Sequence, residues 1–300
     1  MMPPPRLPIL VTGATSRVGR LVVDELLRAG VDVRALTRHP ENAALPIGAD
    51  VVAGDFTVPD TLDDALEGTG AVLLVWTAPP ATAPRVIAKI AAQTSDERRR
   101  VVYLSAPFRT RHPFFQQPNP LRDLHEEIER LLADSNLDVA ILRPGMFASN
   151  ARHWWAPQIR IGDVVRWPYG AVETAPIDER DIASVAARVL LDDNLANVDC
   201  VLTGPESLSQ AEQVQAIGDA TGRPLQFEEL SPDEFRRETA ATWQASVVEM
   251  LLSAWRASLG HPAFVTTAVQ EILGRPARTF AQWAGDNAEA FPKLMQRTTR

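Results

Sequence analysis

The sequence predicts an α/β protein: a doubly wound parallel sheet followed by a smaller, mostly helical C-terminal lobe. Three observations carry this. Short apolar runs alternate with helix-period segments through the first 145 residues, a glycine turn follows the first run, and the texture changes after Arg143-Pro144-Gly145. Residues 7–12 (LPILVT) form a short apolar run ending in that turn, the pattern of a buried strand. Val18, Leu21, Val22, Leu26 and Leu27 then recur at helical spacing, and Gly30 stops that helix. Residues 31–37 read as a second strand and 50–53 as a short third. Pro59, Asp60 and Thr61 carry helix-start chemistry for 59–67. Strands at 71–76, 100–105 and 138–142 alternate with helices at 84–93 and 121–133. Strands separated by helices need right-handed crossovers, which give a parallel sheet.

The second half is organised differently. Phe147, Trp154, Trp155 and Trp167 crowd 146–170. A helix at 181–191, a strand at 199–203, a helix from Ser207 or Ser209 to 221 and a short strand at 225–230 follow. From Pro232 to Phe291 the pattern is mostly helical, broken at Gly260-His261-Pro262 and Gly274-Arg275-Pro276. No repeat or low-complexity linker separates the halves. The expected division is a dinucleotide-binding core at 1–145 and a substrate-binding lobe at 146–300, with segments such as 176–203 packing back on the core.

Composition narrows the function. The 300 residues are 45% hydrophobic and 23% charged, a globular balance that excludes a disordered or fibrous chain. A net charge of -8 repels phosphate at long range, so neither nucleic acid nor an anionic membrane is expected as a partner. The single Cys200 excludes an internal disulfide and a cysteine-rich zinc site, and no metal is expected. Met1 to Arg6 has no apolar signal region, and 71–76 is far shorter than the ~18 residues of a membrane span. A cytoplasmic protein acting on a small molecule is the expectation. Its oligomeric state is not legible.

Thr12-Gly13-Ala14-Thr15-Ser16-Arg17-Val18-Gly19 lies between the first strand and first helix, where a dinucleotide fold places its phosphate turn. Gly13 permits the sharp turn, Gly19 lets the helix pack close, and the helix-start N–H groups face the pyrophosphate. Ser16 stands where a middle glycine is usual; its hydroxyl can donate a bond instead. The second strand ends Leu36-Thr37-Arg38, with no acid at 35–38 to take ribose hydroxyls. Arg38, and Arg17 inside the loop, suit a 2′-phosphate, because the guanidinium fork binds two oxygens at once. NADP(H) is therefore expected over NAD(H). Gly54-Asp55-Phe56, with Asp55 facing the adenine amine, and Trp76-Thr77-Ala78-Pro79 follow the third and fourth strands and face the same nucleotide.

These motifs resemble a known family. TGATxxxG, the LTR strand end, the GDF turn and VVYLSA are similar to atypical short-chain dehydrogenases/reductases, and LDVAILRPGMFASN and PIDERDIASVAARVL resemble the NmrA-like branch. That branch includes quinone reductases, isoflavone-reductase-like enzymes and redox-sensing regulators. The closing RPARTFAQWAGDNAEAF is similar to bacterial relatives of ergot-alkaloid-type dehydrogenases. The resemblance spans about 7–291 and implies a Rossmann domain binding NADP(H), with Pro144, Gly145 and Met146 also beside the cofactor.

One departure bears on mechanism. Short-chain reductases generally use a Tyr-x-x-x-Lys pair, the phenol protonating the carbonyl. Here Tyr103 and Tyr169 are followed four residues on by Pro107 and Glu173, and neither Lys89 nor Lys293 has a tyrosine four residues before it. Matched on Glu129 and ILRP, the tyrosine position falls on Leu121 and the lysine position on His125. Acceptors that take hydride with little acid help then fit best: quinones, iminium ions, activated enones. His125 is the candidate acid or ribose anchor, also beside the cofactor. Ser105 is a second catalytic and cofactor-side candidate; Asp123 and His112 rank below both. Phe108, Phe114, Phe115, Phe147, Trp154 and Trp155 are expected to wall a flat, hydrophobic, quinone-, imine- or polyketide-like substrate. Asp178 and Asp181 read as a salt-bridge and helix-cap set, with Asp181 opening the helix. Two other readings stay open: a non-catalytic NADP(H) sensor, and an epimerase or isomerase that retains its cofactor.

Overall fold

The computed structural model describes residues 7–92 and 99–292. Lys293, Gln93 and the N-terminal Met1 to Arg6 of the sequence reading lie outside them. The first half runs β1 (Ile9–Val11), α1 (Arg17–Arg28), β2 (Val33–Thr37), β3 (Asp50–Ala53), α2 (Asp63–Leu66), β4 (Ala71–Leu74), α3 (Ala83–Ala92), β5 (Arg100–Leu104), α4 (Pro113–Gln116), α5 (Pro120–Ala133) and β6 (Asp138–Pro144). It continues α6 (Asn150–Trp154), α7 (Ala156–Ile161), β7 (Val164–Trp167), β8 (Glu173–Thr174), α8 (Glu179–Leu191), β9 (Asp199–Leu202), β10 (Leu208–Ser209) and α9 (Gln210–Thr221). The last part is β11 (Gln226–Glu229), α10 (Pro232–Thr239), α11 (Ala245–Ser258), α12 (Ala268–Leu273) and α13 (Phe280–Asp286).

Seven strands form one parallel sheet in the order β3-β2-β1-β4-β5-β6-β9. Alternation along each strand builds three layers. Ile9 and Val11 pack with Val18, Val22 and Leu26 of α1 and with Ile182, Val185 and Val189 of α8. Leu10 points the other way, into a core with Val86 and Ile90 of α3 and Ile128 and Leu132 of α5. The order reverses between β1 and β4, opening a crevice at their C-terminal ends, where such folds bind ligands. Thr12 ties that crevice: its hydroxyl donates to Leu73 O at 3.0 Å and accepts from Val75 N at 2.9 Å.

The C-terminal lobe has its own aromatic core, with Trp155, Trp167, Trp255 and Trp283 in contact with Phe235, Phe280 and Phe291. Its helices start on strong caps. Ser209, Ser231 and Thr279 each form a capping box with the residue three on. Two small sheets brace it, β7 with β11 in parallel and β8 with β10 antiparallel. Of these strands only the region of β11 was foreseen, because β8 and β10 are two residues each and β7 is hidden among aromatics. The helix read as starting at Asp181 starts earlier. Asp178 is the cap, accepting Arg180 N at 2.9 Å, while Asp181 sits in the first turn and pairs with Arg275 at 2.8 Å. No helix among the described residues is long and apolar enough to cross a membrane.

Candidate active site

The crevice at the strand reversal is a polar cleft of about 650 Å³. Gly13, Thr15 and Ser16 line it after β1, Thr37 and Arg38 after β2, Gly54 to Phe56 after β3, and Thr77 to Pro79 after β4. Four loops that the sequence separates by some twenty residues each thus meet in one place. Gly13 turns the chain at φ +59°, where a side chain is strained. A Cβ on Gly19 would lie 2.2 Å from the Gly13 carbonyl oxygen. Ser16 caps α1, its oxygen accepting Gly19 N at 3.1 Å, which leaves the hydroxyl proton to donate outward. The first-turn N–H groups of Arg17 and Val18 have no acceptor within the helix, while the Val18 side chain is buried in the core. A close-packed glycine turn, a free helix start and a cation at the far end fit a dinucleotide phosphate chain.

Arg38 and His39 stand at one end of the cleft, next to Asp55. The Thr57 N–H bonds the Asp55 carboxylate, and with the Thr57 hydroxyl, Arg38 and His39 it holds that group below the usual carboxylate range. Arg17 does not join them. Its guanidinium lies 3.8 Å from Glu179 on the side of the C-terminal lobe. Position explains this: Arg17 opens α1 on the face toward the buried Glu179, whereas Arg20, a turn later, reaches the glycine turn and the segment after β2. Arg20 lines the cleft and donates to Thr15 O and Ala44 O. Arg17, expected beside Arg38, thus lies outside the cleft lining, and Arg20 and Arg38 are the arginines that line it. Arg20 was overlooked because it falls just outside the glycine motif.

A second, apolar cavity of about 460 Å³ opens between the C-terminal ends of β5 and β6 and the lobe. Pro144, Gly145 and Met146 line it after β6, and Phe108, Phe114, Phe115, Phe147 and Trp154 wall it as expected from sequence. Trp155 does not. It is 0% exposed inside the lobe core, because neighbouring residues at the end of a helix point about 100° apart and only one can face the cavity. The opposite wall was missed: Trp243, then Val247, Met250, Leu251 and Ala254 on α11. Their i, i+3, i+4, i+7 spacing is a legible helical stripe, but a stripe alone does not say what it faces. Gln117, Asn119 and Asn150 supply neutral amides to the same cavity; Asn150 Nδ2 contacts Met146 Sδ at 2.9 Å.

Neither proposed catalytic group reaches the lining of this cavity. The Ser105 hydroxyl is buried and donates to Glu129 at 2.5 Å. Glu129 also pairs with Arg143 at 2.5 Å and Arg109 at 2.7 Å, and Arg143 reaches Asp199 at 2.6 Å. Ser105 is thereby committed to an ionic seam joining β5, α5, β6 and β9. His125 sits beneath the cavity floor, its ring 5.9 Å from Phe108. Its Nδ1 is 2.6 Å from the Tyr103 hydroxyl. Burial, then the nearby Glu129 charge, pushes the Tyr103 phenol up, so it stays protonated. Burial pushes His125 down despite Glu129, so its ring is neutral and shares one hydrogen bond with the Tyr103 hydroxyl. Leu121, the matched tyrosine position, does line the cavity, and is 53% exposed. His112 caps α4 through Nδ1 while its Nε2 meets Pro262 O at 3.0 Å; Asp123 is on the outer mouth between α5 and α11.

Comparison with known proteins agrees with this layout. A family model described as NAD(P)H-binding matches residues 13–193. A (4-alkanoyl-5-oxo-2,5-dihydrofuran-3-yl)methyl phosphate reductase of Streptomyces griseus is 38% identical over 94% of this chain and 99% of its own. An NAD(P)H azoreductase of Xenophilus azovorans is 30% identical over 94% and 99%. Among solved structures, an NADPH-dependent quinone oxidoreductase of Escherichia coli shares the fold at TM-score 0.76 with 24% identity, covering 93% of this chain and 98% of that one. The glycine turn, the seven-stranded sheet and these full-length matches together make the chain a member of the NAD(P)H-binding family, in the NmrA-like branch of atypical short-chain dehydrogenases/reductases, and an NAD(P)H-dependent reductase.

Proposed function

We propose that this reductase prefers NADPH and reduces a flat, hydrophobic electrophile, such as a quinone, iminium ion or activated enone, with no acid from a Tyr-x-x-x-Lys pair. The observation that carries this is Leu121 on the cavity wall where a phenol would stand. The neutral His125 beneath the floor is tied to Tyr103 and offers no acid near neutral pH. Bound NADPH supplies the hydride. The chain's own part is to hold the phosphates at Gly13 and Ser16, keep the ring plane between aromatic walls and exclude water. The completing proton comes from solvent at the mouth, since a stabilised enolate or hydroquinone anion needs none in the slow step. Arg38 and Arg20 support the preference for a 2′-phosphate. The quinone, azo and furanone-phosphate reductases above support the acceptor class by analogy. The aromatic cavity favours catalysis over a sensor role, for which a substrate-sized space is unnecessary.

The test is NADPH oxidation with menadione, an aromatic azo dye and an alkanoyl butenolide. At least one should turn over, with kcat/KM about tenfold or more higher for NADPH than NADH, the scale of one phosphate contact. Tight NADPH binding with no oxidation by any of the three would sink the catalytic reading and leave the sensor.

A further inference from the structure

The charge pattern around the cavity says which substrates it rejects. Its interior holds aromatic and aliphatic walls and three neutral amides, and no charged side chain among the described residues lines it. One end continues past Phe114 and Phe115 into a narrow recess that carries the Glu173 carboxylate, held by the Ser207 hydroxyl. The other end opens at a mouth bearing Asp123, beside Glu249, whose carboxylate is paired with Arg236 at 2.6 Å. The cation at that mouth, Arg122, is already engaged. It donates to the carbonyls of Phe108 and Phe115 at 3.3 and 2.6 Å, and lies 5.1 Å from the centre of the Phe108 ring. A phosphate or sulfonate entering the interior would lose its hydration with no cation to meet it, and carboxylates stand at both exits.

We propose that this cavity takes uncharged or cationic electrophiles and excludes those with an anionic substituent, so that a phosphate monoester is not its substrate. This rests on the reductase reading for turnover but not for binding. It also separates this chain from its 38% identical relative, which is named for a phosphate ester.

The experiment uses two matched pairs on the NADP⁺-loaded full chain: a hydroxymethyl alkanoyl-butenolide with its phosphate monoester, and menadione with a naphthoquinone sulfonate. Calorimetric binding comes first and kcat/KM with NADPH second. The uncharged member should bind about a hundredfold more tightly in each pair, the scale of a charge left unpaired opposite like charges. Equal or tighter binding of either anionic member overturns the proposal, as does failure of both uncharged members to bind. Binding of the uncharged members without turnover upholds it and removes the reductase reading instead. In the doubly neutralised Glu173→Gln, Asp123→Asn variant the ratio should fall several-fold. An unchanged ratio would overturn the electrostatic account.

Discussion

The polar cleft and the aromatic cavity lie side by side but are made of different material. The cleft is built from backbone and short polar side chains in four loops, each directly following a strand. The cavity is built from large side chains that converge from segments as far apart as Phe108 and Ala254. Recognition by backbone is unforgiving, since a single Cβ at Gly19 meets a carbonyl oxygen. Recognition by side-chain walls is replaceable residue by residue. One region can therefore stay fixed across a family while its neighbour changes substrate.

The largest effect is expected at the ionic seam that joins β5, α5, β6 and β9, outside both regions. Arg143→Met leaves the buried Glu129 with the Ser105 hydroxyl and the guanidinium of Arg109, itself 62% exposed. Breaking such a pair costs about 3–5 kcal/mol, and denaturant unfolding should show it. A loss below about 1 kcal/mol, typical of an exposed pair, would mean the seam is not structural.

Gly19→Ala should break the cleft alone. Either α1 or the Gly13 turn must move, at a cost of about 1–3 kcal/mol, with NADPH affinity falling more than about tenfold. Menadione binding to the cofactor-free chain should hardly change; if both fall together, the regions are not separable. Arg38→Ala sharpens the contrast within the cleft. NADPH should weaken by about tenfold or more while NADH stays nearly constant. Arg17→Ala should shift that ratio by less than about threefold, because its guanidinium faces Glu179. Titrations showing Arg17 to be the stronger determinant would reverse the assignment.

The smallest expected effect is at His125. As an acid it would account for a factor of about 100–10,000 in hydride transfer. Held neutral by burial, it should leave most single-turnover activity intact in His125→Ala, with no ionisation in the rate near pH 6–7. The same downward shift has a sign for stability. The unfolded histidine, near 6.5, takes up a proton before the folded one does. Stability contributed by the neutral ring is thus full above that pH and declines as pH falls through the folded value. His125→Gln should flatten that part of the stability profile. A wild-type profile level between pH 7 and 5 would contradict it.

Legibility in the sequence follows the same division. The strands were readable, and so was the convergence of the glycine turn, Arg38, Asp55 and the 77–79 loop on one cleft, because each lies at a fixed distance from a strand end. Five of the six aromatic wall residues were found from local clustering. Trp155 was misplaced because clustering does not say which of two adjacent tryptophans turns inward. Trp243 and the α11 stripe were invisible as site residues because only tertiary packing brings them opposite Phe115. Arg17 and Ser105 were read by position in a motif, but buried carboxylates, Glu179 and Glu129, claim their side chains. Such long-range charges leave no periodic trace.

The placement of β9 and α8 has a consequence for synthesis of the chain. β9 is the seventh strand of the sheet, lying against β6, and α8 buries the face of α1. Both come after the lobe's first excursion, residues 146–175. A nascent chain released only as far as Gly145 would expose an unpaired strand edge and an apolar helix face, a state prone to aggregation. The sheet closes only when residue 202 has left the ribosome, so the half that bears the sheet is finished by a segment encoded after much of its neighbour. A fragment ending at Gly145 should accordingly be insoluble, whereas one extended through Leu202 should recover most of its helical and sheet signal.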